Sequence, residues 1–171
     1  LDKTGTITEG KPKLVATEIL DQTVSEKVIL EWAGSLAALS NHPVSKAIST
    51  ALAPSATVVD HFMALPGRGV QGRIGNQDLI LGNHRLIEER KLCGPAIAAR
   101  LVEHEAQGRT MTLLANDSGV LAIFAVADTI KPHAREAISA LHTLGVKAVM
   151  LSGDNQATAQ AVAAQANVDD A

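Results

Sequence analysis

Asp2, Ser152 and Asp154 are the side chains whose types and settings best suit phosphoryl chemistry. Asp2 follows Leu1, which reads as the stub of a buried strand, and it opens the polar turn Asp2-Lys3-Thr4-Gly5. A carboxylate at the C-terminal edge of a parallel strand sits where open α/β sheets hold their ligands. Such a carboxylate can act as a covalent nucleophile and form an aspartyl phosphate. The turn after it offers backbone N–H groups, and Thr4 and Thr6 add hydroxyls, a set of donors suited to phosphate oxygens. Ser152-Gly153-Asp154 closes a second apolar segment, 146–151, so it can converge on the same edge, with Ser152 on a phosphate oxygen. Alone, either aspartate reads as a turn cap. Together, at two strand ends of one split domain, they favour chemistry.

Two glycine patterns compete for attention. Gly5-Thr6-Ile7-Thr8-Glu9-Gly10-Lys11 matches seven positions of a phosphate-cradling G-x-x-x-x-G-K-[ST] loop, but the eighth is Pro12, and the following segment reads as strand. Gly67-Arg68-Gly69-Val70-Gln71-Gly72 matches G-x-G-x-x-G, yet it too continues as strand and turn where a dinucleotide site needs a helix. A tight turn, or close backbone approach to another ligand, explains those glycines better.

The elements that must position these residues follow from periodicity. Apolar alternation predicts a strand over 13–20, and Ser25 caps a helix carrying Val28, Leu30, Trp32, Leu36 and Leu39. Pro43 opens a helix to about residue 51. Strands are expected at 58–63, 70–74, 79–81, 110–115 and 120–126, and helices at 84–89 and 95–107. The last quarter changes to a βαβα rhythm: a helix over 132–144 ended by Gly145, the apolar strand 146–151, and an Ala-rich helix over 157–166. The expected architecture is α/β: a doubly wound domain, 1–12 plus 125–171, interrupted by an inserted α+β domain, 13–124.

Composition bounds the rest. Of 171 residues 46% are hydrophobic and only 2% aromatic, so the core must be built of Ala, Val, Leu and Ile. A net charge of -3 provides no basic footprint for nucleic acid. The single cysteine, Cys93, excludes an internal disulfide. No apolar run approaches the roughly 20 residues that span a bilayer, so the chain is expected to be soluble. It opens on Leu1 without Met, which suggests a piece of a longer protein.

Asp2-Lys3-Thr4-Gly5-Thr6-Ile7-Thr8 resembles the D-K-T-G-T-[LI]-T phosphorylation motif of P-type ATPases, a specific seven-residue match. Ser152-Gly153-Asp154 is similar to their T-G-D element, and Asp128-Thr129-Ile130-Lys131-Pro132 to the hinge segment returning to the phosphorylation domain. The resemblance covers essentially the whole chain. It implies a haloacid-dehalogenase-like phosphorylation domain and a nucleotide-binding insertion with an antiparallel sheet. Asp2 would take the phosphoryl group, with phosphate held by Lys3, Thr4, Gly5, Thr6, Ser152, Gly153 and Asp154. Asn41-His42-Pro43 resembles the His-Pro element of the heavy-metal branch. Gly67 and Gly69 resemble its paired-glycine nucleotide loop, and Gly82-Asn83 a third nucleotide element. By the same resemblance ATP is the substrate, Mg²⁺ its companion at Asp2 and Thr4, and the partners are membrane-spanning and actuator domains of one longer chain at the cytoplasmic face of the membrane.

The departures carry information. Ala37 stands where many members have a Glu that can accept from the adenine amino group, leaving Ser40 or Asn41 as substitutes. Asn41, where copper pumps commonly have Glu, points toward the zinc/cadmium/lead branch. The family's downstream G-D-G-x-N-D element and phosphate-binding lysine have no counterpart, which implies an incomplete Mg²⁺ site and little turnover by these residues alone. A soluble phosphohydrolase of the haloacid dehalogenase class is the rival enzyme, but Thr4 stands where such enzymes carry a second Asp. A module that binds nucleotide without turnover is the non-enzymatic alternative. His61, His84, His104, His133 and His142 show no ligand spacing, Trp32 lies on an apolar helical face, and Glu88-Glu89 precedes Arg90-Lys91 as a mixed-charge helix end.

Overall fold

The computed structural model describes residues 1–54 and 57–171. Its centre is a six-stranded antiparallel sheet of β1 (Lys13–Ile19), β2 (Asp60–Leu65), β3 (Gly69–Ile74), β4 (Gln77–Gly82), β5 (Thr110–Asn116) and β6 (Gly119–Ala127). The spatial order is β1-β6-β5-β4-β3-β2. The helices are α1 (Glu26–Ala38), α2 (Pro43–Leu52), α3 (His84–Glu89), α4 (Pro95–Glu105), α5 (Ala134–Thr143) and α6 (Gln156–Ala166).

Strands β5 and β6 are apolar nearly throughout because both faces of the sheet are covered. On one face Leu79, Leu81, Leu114, Ala122, Phe124 and Val126 pack against Ile29, Ala33, Leu36 and Ile48 of α1 and α2. On the other, Met111, Leu113, Ile123 and Ala125 pack against Ile87 of α3 and Leu101 of α4. Ala, Val, Leu and Ile fill most of this core, with Phe124 its one fully buried aromatic among the described residues. A third cluster stands apart, formed by Ile7, Ile138, Ala148, Met150, Ala159, Val162, Ala163, Ala166 and Val168.

Register decides what meets this third cluster. Lys13 pairs with Ala127, Thr110 with Val126, Gly82 with Leu113, Gly69 with Gly82, and Leu65 with Gly69. One edge of the sheet therefore collects Lys13, Ala127, Thr110, Gly82 and Gly69. The chain crosses from that edge through two adjacent segments, joined by a Thr8–Ile130 antiparallel bridge and by Glu9 N–H donating to Thr129 C=O at 2.8 Å.

Three expectations are corrected. The first hairpin strand begins at Asp60, two residues later than its apolar run suggests, because the pairing slips between Asp60 and Met63, where His61 takes φ 51. The segment 146–151 forms only isolated parallel bridges, Asp2–Leu151 and Val149–Asp170, since its neighbours pair with it over single residues. Ser25 occupies the N-cap of α1 without a side-chain cap bond.

Gly69 is the tightest point of the sheet. Its φ is 150, and an added Cβ would lie 2.3 Å from Leu81 O and 2.5 Å from Gly82 Cα. Gly69→Ala is expected to lower unfolding free energy by about 3 kcal/mol through backbone overlap and strain. Gly75→Ala, at φ 58 with open space around it, should cost only about 1 kcal/mol. Urea titrations of both variants check the difference.

Candidate active site

Asp2 and Ser152 lie side by side because two short segments run parallel. Leu151 N–H donates to Leu1 C=O at 2.7 Å, and Lys3 N–H to Leu151 C=O at 3.2 Å. The chain then turns sharply. Thr4 (φ -74, ψ 121) and Gly5 (φ 77, ψ -11) have the angles of a type II turn, whose third position requires the positive φ that glycine accepts without strain. Thr8 closes the loop, its N–H donating to Lys3 C=O at 3.0 Å and its hydroxyl to the same oxygen at 3.1 Å. Lys131 donates to Gly5 C=O. Asp2, Thr4, Gly5 and Thr6 remain exposed, so their carboxylate, hydroxyls and N–H groups face solvent.

The Asp154 carboxylate organises the opposite side. Lys3 and Ser152 (2.8 Å) donate to Oδ2, and Thr110 donates to Oδ1 at 3.1 Å. Burial, the largest influence, pushes the Asp154 carboxyl up, but the bonds from Lys3 and Ser152, the Lys3 charge and the Thr110 bond outweigh it. The net effect holds it below the ordinary aspartate value. Asp128 plays a similar part at the crossing, its two oxygens accepting from Gly10 N–H and Lys11 N–H, both at 3.0 Å.

A second group gathers at the sheet edge. Asn83 N–H donates to Arg68 C=O at 2.8 Å, and Asn83 Nδ2 donates to Gly67 C=O at 3.0 Å. Asn83 Oδ1 meanwhile accepts from Leu86 N–H at 3.1 Å and caps α3. Gly67, Gly69, Gly82 and Asn83 thus form one unit, in which a side chain on Gly69 or Gly82 would strike the facing backbone. His42 stands apart from these bonds at the N-cap of α2, its Nδ1 accepting from Val44 N–H at 3.3 Å. Its own N–H donates to Ser40 Oγ at 3.2 Å. Ala37 is fully buried in the α1 core.

Several participants escape a reading of the sequence. Glu89 anchors the glycine loop through Arg68 at 2.5 Å. Asn155 Nδ2 donates to Glu105, at the end of α4, at 2.6 Å, and Thr110 reaches Asp154. Glu105 had a legible signal, since it continues the Ile97, Leu101 apolar stripe at i+4 spacing. Thr110 had none. Among the residues set aside, Trp32 packs on the α1 core. His104 bridges Glu18 (2.6 Å) and Arg109 (2.9 Å). Cys93 sits 3.2 Å from His84 Nε2, and burial first, then Glu88, pushes its thiol up, so it is a poor nucleophile.

Mg²⁺ keeps several waters and uses one or two carboxylates plus substrate phosphates. Asp2 is a free-standing carboxylate at this edge, whereas Asp154 is engaged by Lys3. Among the described residues no three His, Cys, Asp or Glu side chains converge as a metal centre. The donor set therefore fits a metal carried in with phosphate, held by Asp2 and the Thr4 turn, better than a resident protein-bound ion.

The exposed Asp2 carboxylate thus lies beside the Ser152–Asp154 turn at a parallel bridge, and the inserted sheet separates the two segments in the chain. The family described as haloacid dehalogenase-like hydrolase matches residues 1–171, and the chain belongs to it. A copper-exporting P-type ATPase of Staphylococcus aureus is 37% identical over 173 residues, 99% of this chain and 21% of the relative. A zinc-transporting PIB-type ATPase in its E2.Pi state superposes with TM-score 0.72 at 31% identity, covering 99% of this chain and 28% of that one. The catalytic domain of the CPx-ATPase CopB-B shares the fold, with TM-score 0.70 at 22% identity over 99% of this chain and 57% of that chain. The chain spans about a fifth of the length of the curated relatives it matches. Among the described residues no helix is long and apolar enough to cross a membrane.

Because the Asp154 value is depressed in the folded chain, its stabilisation is fully present above the ordinary value of 3.8 and is lost as pH falls through the lower folded value. Asp154→Asn is expected to cost about 2 kcal/mol near neutral pH. It should also flatten the loss of stability on acidification. Denaturant titrations across the acid range read both effects.

Proposed function

We propose that this chain is the ATP-binding and phosphorylation part of a heavy-metal cation-transporting P-type ATPase, with Asp2 as the residue phosphorylated. The observation that carries the reading is the pairing of Leu1–Lys3 with Leu151, which brings the exposed Asp2 beside the Ser152–Asp154 turn. An Asp2 carboxylate oxygen bonds to the γ-phosphorus of ATP as the bond to the bridging oxygen breaks, and ADP leaves with that electron pair. Lys3 and the turn N–H groups, with Thr4, Gly5 and Thr6, oppose the charge on the transferred group, and Ser152 and Gly153 close around it. Asp2 and Thr4 would hold Mg²⁺, which would offset charge on the nucleotide phosphates.

In the proposed division of labour, 1–12 plus 125–171 carry phosphoryl transfer and 13–124 present the nucleotide, although the last strand of the sheet, β6, runs on to Ala127. His42, Gly67, Gly69, Gly82 and Asn83 are the proposed nucleotide contacts. Support comes from the single bonded unit that the glycine loop forms with Asn83 at the sheet edge nearest the crossing. His42 uses Nδ1 for its cap and keeps Nε2 for a ligand. Ala37 sits in the core and carries no acceptor, so another group must meet the adenine amino group, and Ser40 and Asn41 are the proposed substitutes. The similar proteins are named for copper and for zinc, so Asn41 supports heavy-metal transport without choosing the metal. Membrane and actuator segments of the longer chain, at the cytoplasmic face, are its proposed partners.

Phosphorylation from γ-labelled ATP in the full-length protein is expected to give a hydroxylamine-labile phosphoenzyme that Asp2→Asn abolishes. Label retained in Asp2→Asn would sink the assignment. In the chain itself, His42→Ala should weaken nucleotide binding about tenfold, or 1.4 kcal/mol, while Asp2→Asn leaves it intact. Nucleotide titration followed by NMR measures both. Rapid hydrolysis of a small phosphate ester would favour the phosphohydrolase instead.

A further inference from the structure

Four hydrogen bonds join the end of α4 and the start of β5 to the turn and helix that follow Ser152. Thr110 Oγ1 donates to Asp154 Oδ1 at 3.1 Å, and Asn155 Nδ2 donates to Glu105 Oε1 at 2.6 Å. Thr158 Oγ1 donates to Arg109 C=O at 3.0 Å, and Gln165 Nε2 to Gln107 C=O at 3.3 Å. Gly108, at φ 77, lies against Val162, where a Cβ would approach to 3.1 Å.

Asn155 is the pivot. Its Oδ1 accepts from Thr158 N–H at 2.8 Å and so caps α6, while its amide nitrogen is taken by Glu105. An amide has one oxygen and one nitrogen end. A carboxylate facing the nitrogen end therefore fixes which way the group points, and with it the cap. Glu105 is only 7% exposed and sits on the apolar stripe of its helix, a costly position for a carboxylate unless it is bonded. The turn held in this way contains Asp154, whose other oxygen is held by Lys3, the neighbour of Asp2.

We propose that Glu105 and Thr110 are positioning residues for phosphoryl transfer, setting the Ser152–Asn155 turn against Asp2 through Asn155 and Asp154. Neither touches the reacting atoms. Their effect is on alignment, and it links the pose of the sheet, which carries the nucleotide loop, to the geometry at Asp2. This rests on the phosphorylation reading above, and the test separates the two.

Amide hydrogen exchange of the chain is the first measurement. Glu105→Ala is expected to speed exchange at Asp154, Thr158 and Ala159 about tenfold, with β5 and β6 unchanged. Glu105→Gln, which retains an oxygen for Asn155, should restore protection. Uniform acceleration across the sheet, or none at those amides, overturns the inference whatever the function is. The second measurement is phosphoenzyme formation by the full-length protein. Thr110→Val and Glu105→Ala should slow it about tenfold at saturating ATP. The half-saturating ATP concentration should stay within about twofold, and Thr110→Ser and Glu105→Gln should recover the rate. A changed half-saturation at an unchanged rate overturns positioning. Phosphorylation that survives Asp2→Asn overturns the functional reading, while the exchange result still judges the clamp.

Discussion

The reactive edge depends on one long-range closure, the bond between the Lys3 ammonium and the Asp154 carboxylate, 151 residues apart. Both side chains are largely shielded, at 12% and 14% exposure, so water screens the pair less than it would a surface ion pair. Ser152 and Thr110 saturate the same carboxylate, which offsets its desolvation. With Lys3 held on one side and its carbonyl gripped by Thr8 on the other, the Asp2 turn has little freedom. Asp2, the proposed nucleophile, is therefore presented on a braced loop, although its immediate neighbours face solvent.

This closure is compatible with a large insertion because the chain leaves and returns side by side. Asp128 grips the outgoing segment at Gly10 and Lys11, and the Thr8–Ile130 bridge completes the joint. Beyond the joint, α1 and α2 cover one face of the sheet and α3 and α4 the other, so its core is separate from the cluster around Ile7 and Met150. Much of what passes between the two parts is polar: hydrogen bonds from α4, β5 and the joint. Polar contacts of that kind form and break at modest net cost. The glycine loop is the opposite case. It is backbone packed on backbone at Gly69 and Gly82, which ties it closely to the sheet.

Periodicity was enough for elements whose burial is local and regular. The β5–β6 pair, α3 and α4 fall where apolar spacing indicates, because their core faces repeat without interruption. It failed where pairing overrides spacing. His61 in a left-handed conformation shifts β2, and 146–151 has a buried strand's composition but lacks neighbours long enough to build a ladder. The same division runs through the site. Ser152 and Asp154 were legible as the turn that closes the apolar run 146–151, and Asp2 as the opening of the Asp2–Thr8 motif. Thr110 was not, since a threonine opening a strand is common and its partner lies 44 residues away. Lys3 was legible as a turn residue near phosphate, but its pairing with Asp154 belongs to tertiary structure.

Thr4 and Asp154 together bear on how long an aspartyl phosphate would last. Hydrolysis needs a base beside it to activate water, and an efficient base has a pKa near the working pH. Thr4, two residues from Asp2, carries no titratable group. Asp154 is the carboxylate linked to this turn through Lys3, and its lowered value together with its bonds to Lys3, Ser152 and Thr110 makes it a weak proton acceptor. Releasing it would require breaking the closure that positions Asp2 itself. On the proposed reading, the interaction that builds the site also withholds the base that would discharge it, which separates a pump from a phosphatase built on the same core.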